Sequence, residues 1–390
     1  MRAKRTTTCC SAVALILLIV PPPIHAQQPA DAPLSFFPVR ALWTLPLNNA
    51  LSAPPGFDST RGYFPIDGGR LAAYDLAAGT LLWIADTATA AQPVAGDGLV
   101  FLVEPDAVVA RHDRDGSLAW RLPLAAPLAA TVAWETGWLV VADTSGGVLA
   151  LRASDGHVLW RRDLGSTAQA RATIASSRVH VSLEDGRVVT LDLETGVAVW
   201  ERRLGGPPSE ILAAGDRLFV GSRDNYLYSL RAIDGRVDWR WQTGADVTGL
   251  PVADARRIYF VSLDNVLRAL DRRTGSQQWK RTLPLRPRSG PLVAADTLVV
   301  AGLTPGVRAF RTANGAPAGD IPTASDVAAP PHVMRGATGP VVVVVTRDLL
   351  TGATVQALTR QIEPAVTPVA PLPNPIPLAA SAPPALPPPP

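Results

Sequence analysis

The chain is 390 residues long and 47% apolar, so a sizeable core is within reach, and its 36 basic and 33 acidic residues leave a formal charge of only +3. The surplus cations are Arg2, Lys4 and Arg5; without them 33 basic residues face 33 acidic ones, which gives no electrostatic case for nucleic-acid binding. The only cysteines are Cys9 and Cys10, which excludes a disulfide framework, a thiolate nucleophile and a Cys-ligated metal from everything downstream.

Residues 1–26 read as a secretory signal. Arg2, Lys4 and Arg5 form a basic start, Ala12 to Val20 an apolar stretch, and Ala26 the last residue before cleavage. The apolar run is short for a membrane span, and Pro21, Pro22 and Pro23 end it. Cys9 and Cys10 precede that run and leave with the signal, whereas a lipid-anchoring cysteine would stand at the cleavage point. A periplasmic or secreted chain without a membrane span is expected.

From residue 38 onward the sequence is periodic. A Trp stands four places after a Gly at Gly79 and Trp83, Gly116 and Trp120, Gly156 and Trp160, Gly196 and Trp200, Gly235 and Trp239, and Gly275 and Trp279. The Trp-to-Trp intervals are 37, 40, 40, 39 and 40 residues, and Trp43 falls in phase, 40 residues before Trp83. This period, with Gly turns between short β-branched runs, predicts an all-β radial array of four-stranded blades.

The unit is cleanest late in the chain. Leu250 to Ala253 is a first strand, Ile258 to Ser262 a second, Leu267 to Asp271 a third, and Gln277 to Leu283 a fourth, with turns at Asp264-Asn265 and Thr274-Gly275. No gap between repeats is long enough to hold a separate helix. Boundaries fall near residues 50, 89, 126, 167, 207, 245, 286 and 325.

The blade around Gly315 is degenerate, with no Trp where one is due near Gly319. In the last repeat Ala328 to Met334, Pro340 to Thr346 and Thr354 to Arg360 supply three strands, and no Trp strand follows. Val39 to Leu45 therefore supplies the missing outer strand and closes a ring of eight, since an open ring would expose strand edges on both sides of the gap. Seven blades is the alternative count. Beyond the propeller of residues 38–362, the segment 364–390 holds 12 of the 38 prolines and reads as extended polyproline spanning up to ~80 Å, a disordered tail rather than a packed element.

The repeated tryptophans Trp43, Trp83, Trp120, Trp160, Trp200, Trp239 and Trp279 are expected to dock each blade on its neighbour, the indole buried and its N–H on a backbone carbonyl. Trp134, Trp138 and Trp241 stand outside that position and are expected to pack. Small residues at Ala125 to Ala130 and at Ser289-Gly290-Pro291 let inner strands converge on a narrow channel. His112, His157, His180 and His332 are scattered over different blades without metal-ligand spacing. Asp185, Asp224 and Asp264 read as turn formers, and uniform repeats leave little chain to build a catalytic pocket. Cations cluster after the docking Trp at Arg161, Arg162, Arg202, Arg203, Arg240, Lys280 and Arg281, followed by Arg286 and Arg288. They form either a docking stripe for an acidic partner or a charged edge that discourages sheet pairing.

Ala269-Leu270-Asp271 through Gly275 to Trp279 resembles the pyrroloquinoline-quinone-type propeller repeat, Ala-x-Asp-x-x-x-Gly-x-x-x-Trp. Leu191-Asp192 through Trp200 and Tyr74-Asp75 through Trp83 match nearly as well, while His112, Arg152, Arg231 and Arg311 replace the Asp. Quinoprotein dehydrogenases share this ring and hold the quinone with a calcium ion over the channel, but are longer, and many stack the quinone on a disulfide between adjacent cysteines. The family of the outer-membrane protein assembly factor BamB is similar in length, non-catalytic, and binds its partner through loops joining blades. The resemblance implies a non-catalytic, cofactor-free, monomeric scaffold for envelope or outer-membrane proteins, with Asp246 a loose echo of the acidic contact loops. A quinoprotein or a sugar-binding propeller is the alternative.

Overall fold

The computed structural model describes residues 35–362 except 338 and 349–351. The signal at 1–26 and the tail at 364–390 lie outside the described residues.

Short β-branched runs such as Val341 to Val345 prefer extended backbone, and all described elements are strands. They form eight antiparallel sheets in chain order. In the blade read above, Val247–Ala253, Arg257–Ser262, Val266–Asp271 and Gln277–Thr282 pair in sequence. The ring has eight blades rather than seven.

Blade 8 is the closing unit. Gly339–Asp348 pairs with Gly352–Arg360, and Val39–Pro46 pairs with Gly352–Arg360 from Val39 opposite Arg360 to Pro46 opposite Thr354. Leu47 N–H donates to the Ala353 carbonyl at 2.8 Å, and Gln361 N–H to the Pro38 carbonyl at 2.7 Å, fastening both ends of that junction. The expected first strand at Ala328 to Met334 is broken: Asp326–Val327 and His332–Gly336 pair separately with Gly339–Asp348. Pro330 and Pro331 fall in the gap, where no ladder N–H is available.

The third-to-fourth-strand turn shows why the repeat reads as it does. In blade 6 the Asp271 carboxylate accepts the Arg273 and Thr274 N–H groups, and Gly275 N–H closes on the Asp271 carbonyl at 2.8 Å. Gly275 takes φ 73°, a conformation costly for any residue with a Cβ. A register shift follows in the outer strand between Leu270 opposite Gln277 and Ala269 opposite Trp279. That bulge turns the indole toward the next blade, and the small Ala269 opposite leaves room for it. Corresponding shifts recur in the other seven sheets.

Most of the apolar core lies between blades. Eight buried clusters each draw on two neighbours, from blades 1 and 2 (Tyr63, Trp83, Val100) round to blades 8 and 1 (Val343, Val355, Phe64). Each blade therefore depends on its neighbours for burial, and the closed ring buries every junction.

Candidate functional site

Each docking indole donates to a carbonyl in the following blade: Trp43 to Leu76, Trp83 to Asp113, Trp120 to Ala153, Trp160 to Leu193, Trp200 to Ala232, Trp239 to Arg272 and Trp279 to Thr312, at 2.7 to 3.3 Å. The ring also lies over that blade's turn glycine. A Cβ on Gly235 would stand 2.4 Å from the Trp200 ring, so the glycine serves both turn geometry and close approach. Behind five of these rings stands an aromatic of the same blade: Tyr63, Phe101, His180, Phe219 and Tyr259, with centroids 5.8 to 6.2 Å away.

His180 thus occupies a core aromatic position. It is 2% exposed, its Nδ1 lies 2.7 Å from Thr190 Oγ1, and burial, aided by the Arg178 cation, depresses its pKa to about 4. His332 stacks on Phe57 at 4.4 Å across the junction of blades 8 and 1, and burial lowers it likewise to about 4. Among the described residues, no three His, Cys, Asp or Glu side chains converge as a metal cage would require. Cys9 and Cys10 lie outside the described residues.

The structure separates the candidate partner-binding cations by role. Arg162, Arg202 and Arg281 stand two places after a docking Trp and reach the next blade, each Nε donating to a turn-glycine carbonyl: Gly196 at 2.7 Å, Gly235 at 2.9 Å and Gly315 at 2.7 Å. Arg161 pairs with the buried carboxylate of Asp143 at 3.2 Å, and Arg203 with Asp185 at 3.8 Å. Arg240 covers the Tyr226 ring at 4.8 Å. Lys280 is exposed on the rim. Asp246 is not on the rim; it lies by the axis, lining a cavity of ≈420 Å³ with Gln169, Ser209 and Arg223.

Blade links and second-to-third-strand turns share one face of the ring, called upper here. The ≈420 Å³ cavity opens there, and a second axial cavity of ≈560 Å³ lies below it, with Glu210 lining both. Burial raises the Glu210 carboxyl above the usual range, against the pull of the Arg171 cation and the Leu250 N–H. Trp134 also lines the lower cavity, its ring flat on Gly96, where a Cβ would come within 2.2 Å. Trp138 and Trp241 pack on blade cores. Elsewhere the inner strands touch, with Gly290 so close to the Leu250 carbonyl that a Cβ would stand 1.8 Å away. Glu210 carried no sequence signal, since a lone Glu after Pro208-Ser209 matches no motif.

The ring, its repeat and its axial cavities define an eight-bladed propeller of the pyrroloquinoline-quinone-type repeat class. The sequence model of the family described as "Outer membrane protein assembly factor BamB" matches residues 40–123, 105–213 and 202–363, and the chain belongs to that family. It is 29% identical over 97 residues to the outer membrane protein assembly factor BamB of Yersinia pestis, a match covering 24% of this chain and only 25% of that protein. The structure is similar to BamB from Moraxella catarrhalis, with TM-score 0.67 and 17% identity over 84% of this chain and 99% of that one. The quinohemoprotein alcohol dehydrogenase ADHIIG of Pseudomonas putida HK5 gives TM-score 0.67 and 13% identity over 85% of this chain and 78% of that enzyme. At these identities the structural likenesses speak for the fold alone.

Proposed function

We propose that the protein is a non-catalytic scaffold of the cell envelope that holds partner proteins during outer-membrane protein assembly. The observation that carries this reading is the family match, which runs almost unbroken from residue 40 to 363. The economy of the ring supports it: links between blades are short, leaving little chain to build a catalytic pocket. The rim and the upper-face loops are the surfaces left for a partner.

Arg202 spans two blades, so reversing its charge would disturb docking as well as binding. The variant that leaves the interblade arginines in place is Arg203→Glu with Lys280→Glu, Arg203 being an exposed partner of Asp185 and Lys280 an exposed rim cation. Affinity capture from envelope extract is expected to recover outer-membrane assembly proteins with the wild type and clearly less with this variant. Recovery of none, together with dye-linked alcohol oxidation on adding pyrroloquinoline quinone and calcium, would replace the scaffold by a quinoprotein. Equal recovery by both proteins would move the contact off the rim.

A further inference from the structure

Most arginines of the ring are occupied. They pair with carboxylates, cap turn carbonyls or cover an aromatic ring. Arg288 and Arg347 are among those that are not, and they are the two that line one cavity. Both are exposed on the upper face, one on the link into blade 7 and the other at the end of the second strand of blade 8, and both line a single cavity of ≈250 Å³. Neither guanidinium has an ion pair or hydrogen bond within the described residues. Asp326 is opposite Arg347 in the ladder yet forms no ion pair with it.

The rest of the cavity wall is small and uncharged: Ala301, Gly302, Ala328, Ala329, Pro54 and the hydroxyl-bearing Ser289. No carboxylate lines it. Two cations lining one recess repel each other; the nearest carboxylate in the ladder, Asp326 opposite Arg347, is not among the lining residues.

We propose that this cleft between blades 7, 8 and 1 is a binding site for a phosphate monoester or free phosphate, held between Arg288 and Arg347 with Ser289 as a further donor. Charge decides the ligand class. A phosphate monoester carries about −1.5 to −2 at pH 7 and matches two guanidinium groups, whereas a carboxylate leaves one cation unmatched. Each planar fork can donate two hydrogen bonds to such an oxyanion. Size agrees, since drug-sized ligands occupy roughly 300–1,000 Å³ and this recess is smaller. The site stands apart from the rim cations and does not depend on the scaffold reading.

The test is isothermal titration of the mature protein with inorganic phosphate, beside flotation with vesicles of phosphatidic acid in phosphatidylcholine and with phosphatidylcholine alone. Saturable phosphate binding is expected, weakened roughly tenfold to a hundredfold by Arg288→Gln or Arg347→Gln and lost in the double variant. Flotation only with phosphatidic acid, lost in the same variants, would make the source a lipid headgroup; binding of inorganic phosphate without flotation would make it a soluble anion. Neither arginine holds the fold through a described contact, so the variants should keep the wild-type unfolding midpoint. Equal binding by the double variant, no binding in either arm, or acetate binding as well as phosphate would overturn the proposal.

Discussion

At seven junctions of the ring an indole reaches forward, from the outer strand of one blade onto the turn glycine of the next. Between blades 7 and 8 the direction is reversed. Gly319 takes the Trp position, and the Phe37 ring, entering just before the first strand, lies so close that a Cβ on Gly319 would be 2.3 Å away. Phe36 beside it is wholly buried, meets Phe37 edge to face at 5.4 Å, and donates its N–H to Asp296 Oδ1 at 3.1 Å. The cause is covalent. Blade 8 is assembled from both ends of the propeller, so the turn that would present a glycine to an incoming indole is the place where the ring is cut. An aromatic anchor is still needed there, and the incoming segment carries it.

The largest expected effect comes from removing that segment. Deleting residues 36–46 strips blade 8 of its outer strand, exposes the ladder from Thr354 to Arg360, and leaves Gly319 facing an empty slot. Loss of cooperative unfolding is expected, measured by thermal denaturation followed by near-ultraviolet circular dichroism. An unchanged midpoint would mean that the ring does not need its seam.

Next comes the relative strength of the two kinds of junction. Trp160→Ala should cost about 3–5 kcal/mol, the scale for deleting a large buried aromatic, and it also strands the Leu193 carbonyl. Phe37→Ala should cost about 3 kcal/mol, at the low end, because Phe37 is half-buried and satisfies no polar group. Gly319→Ala should be harmful in the wild type and much less so beside Phe37→Ala. A double-mutant cycle by urea denaturation reads that coupling directly, and additivity would show that the two residues do not meet.

The sequence displayed the regular arc and concealed the seam for the same reason. Repetition makes a pattern visible: seven Trp positions in phase with Gly turns are legible because each blade meets its neighbour identically. Phe36 and Phe37 occur once, so nothing in the period announces them. The closing strand was legible through Trp43, in phase with the array, and through strand pairing, because an unpaired edge had to be covered. The rim cations were legible as a cluster and their roles only by counting from the docking Trp: alternation puts Arg162, two places on, on the side of the indole and the next turn, and Lys280, one place on, on the opposite side. Glu210 reaches the axial cavities, and Arg288 and Arg347 reach one cleft, through ring geometry, with no spacing to reveal them.

Two histidines, His180 buried and His332 half-buried, carry the comparison into pH, one on each side of it. His180 fills an aromatic position in the regular arc, and His332 stacks on Phe57 beside the closing blade. Both have folded-state values near 4, below the ordinary 6.5, so the fold favours their neutral forms. Their contribution is whole above about pH 6.5 and is lost as the pH falls toward 4, because the unfolded chain takes up the proton first. For His180, almost fully enclosed, the loss amounts to about 3 kcal/mol. Phe101 and Phe219 hold the equivalent place in sister blades, so His180→Phe should fold and flatten the stability profile between pH 6.5 and 4. His332→Phe should flatten it less, because His332 is only partly enclosed and Asp58 favours its charged form. Urea denaturation across that range would separate the two, and identical profiles for wild type and His180→Phe would mean that His180 is charged at no cost.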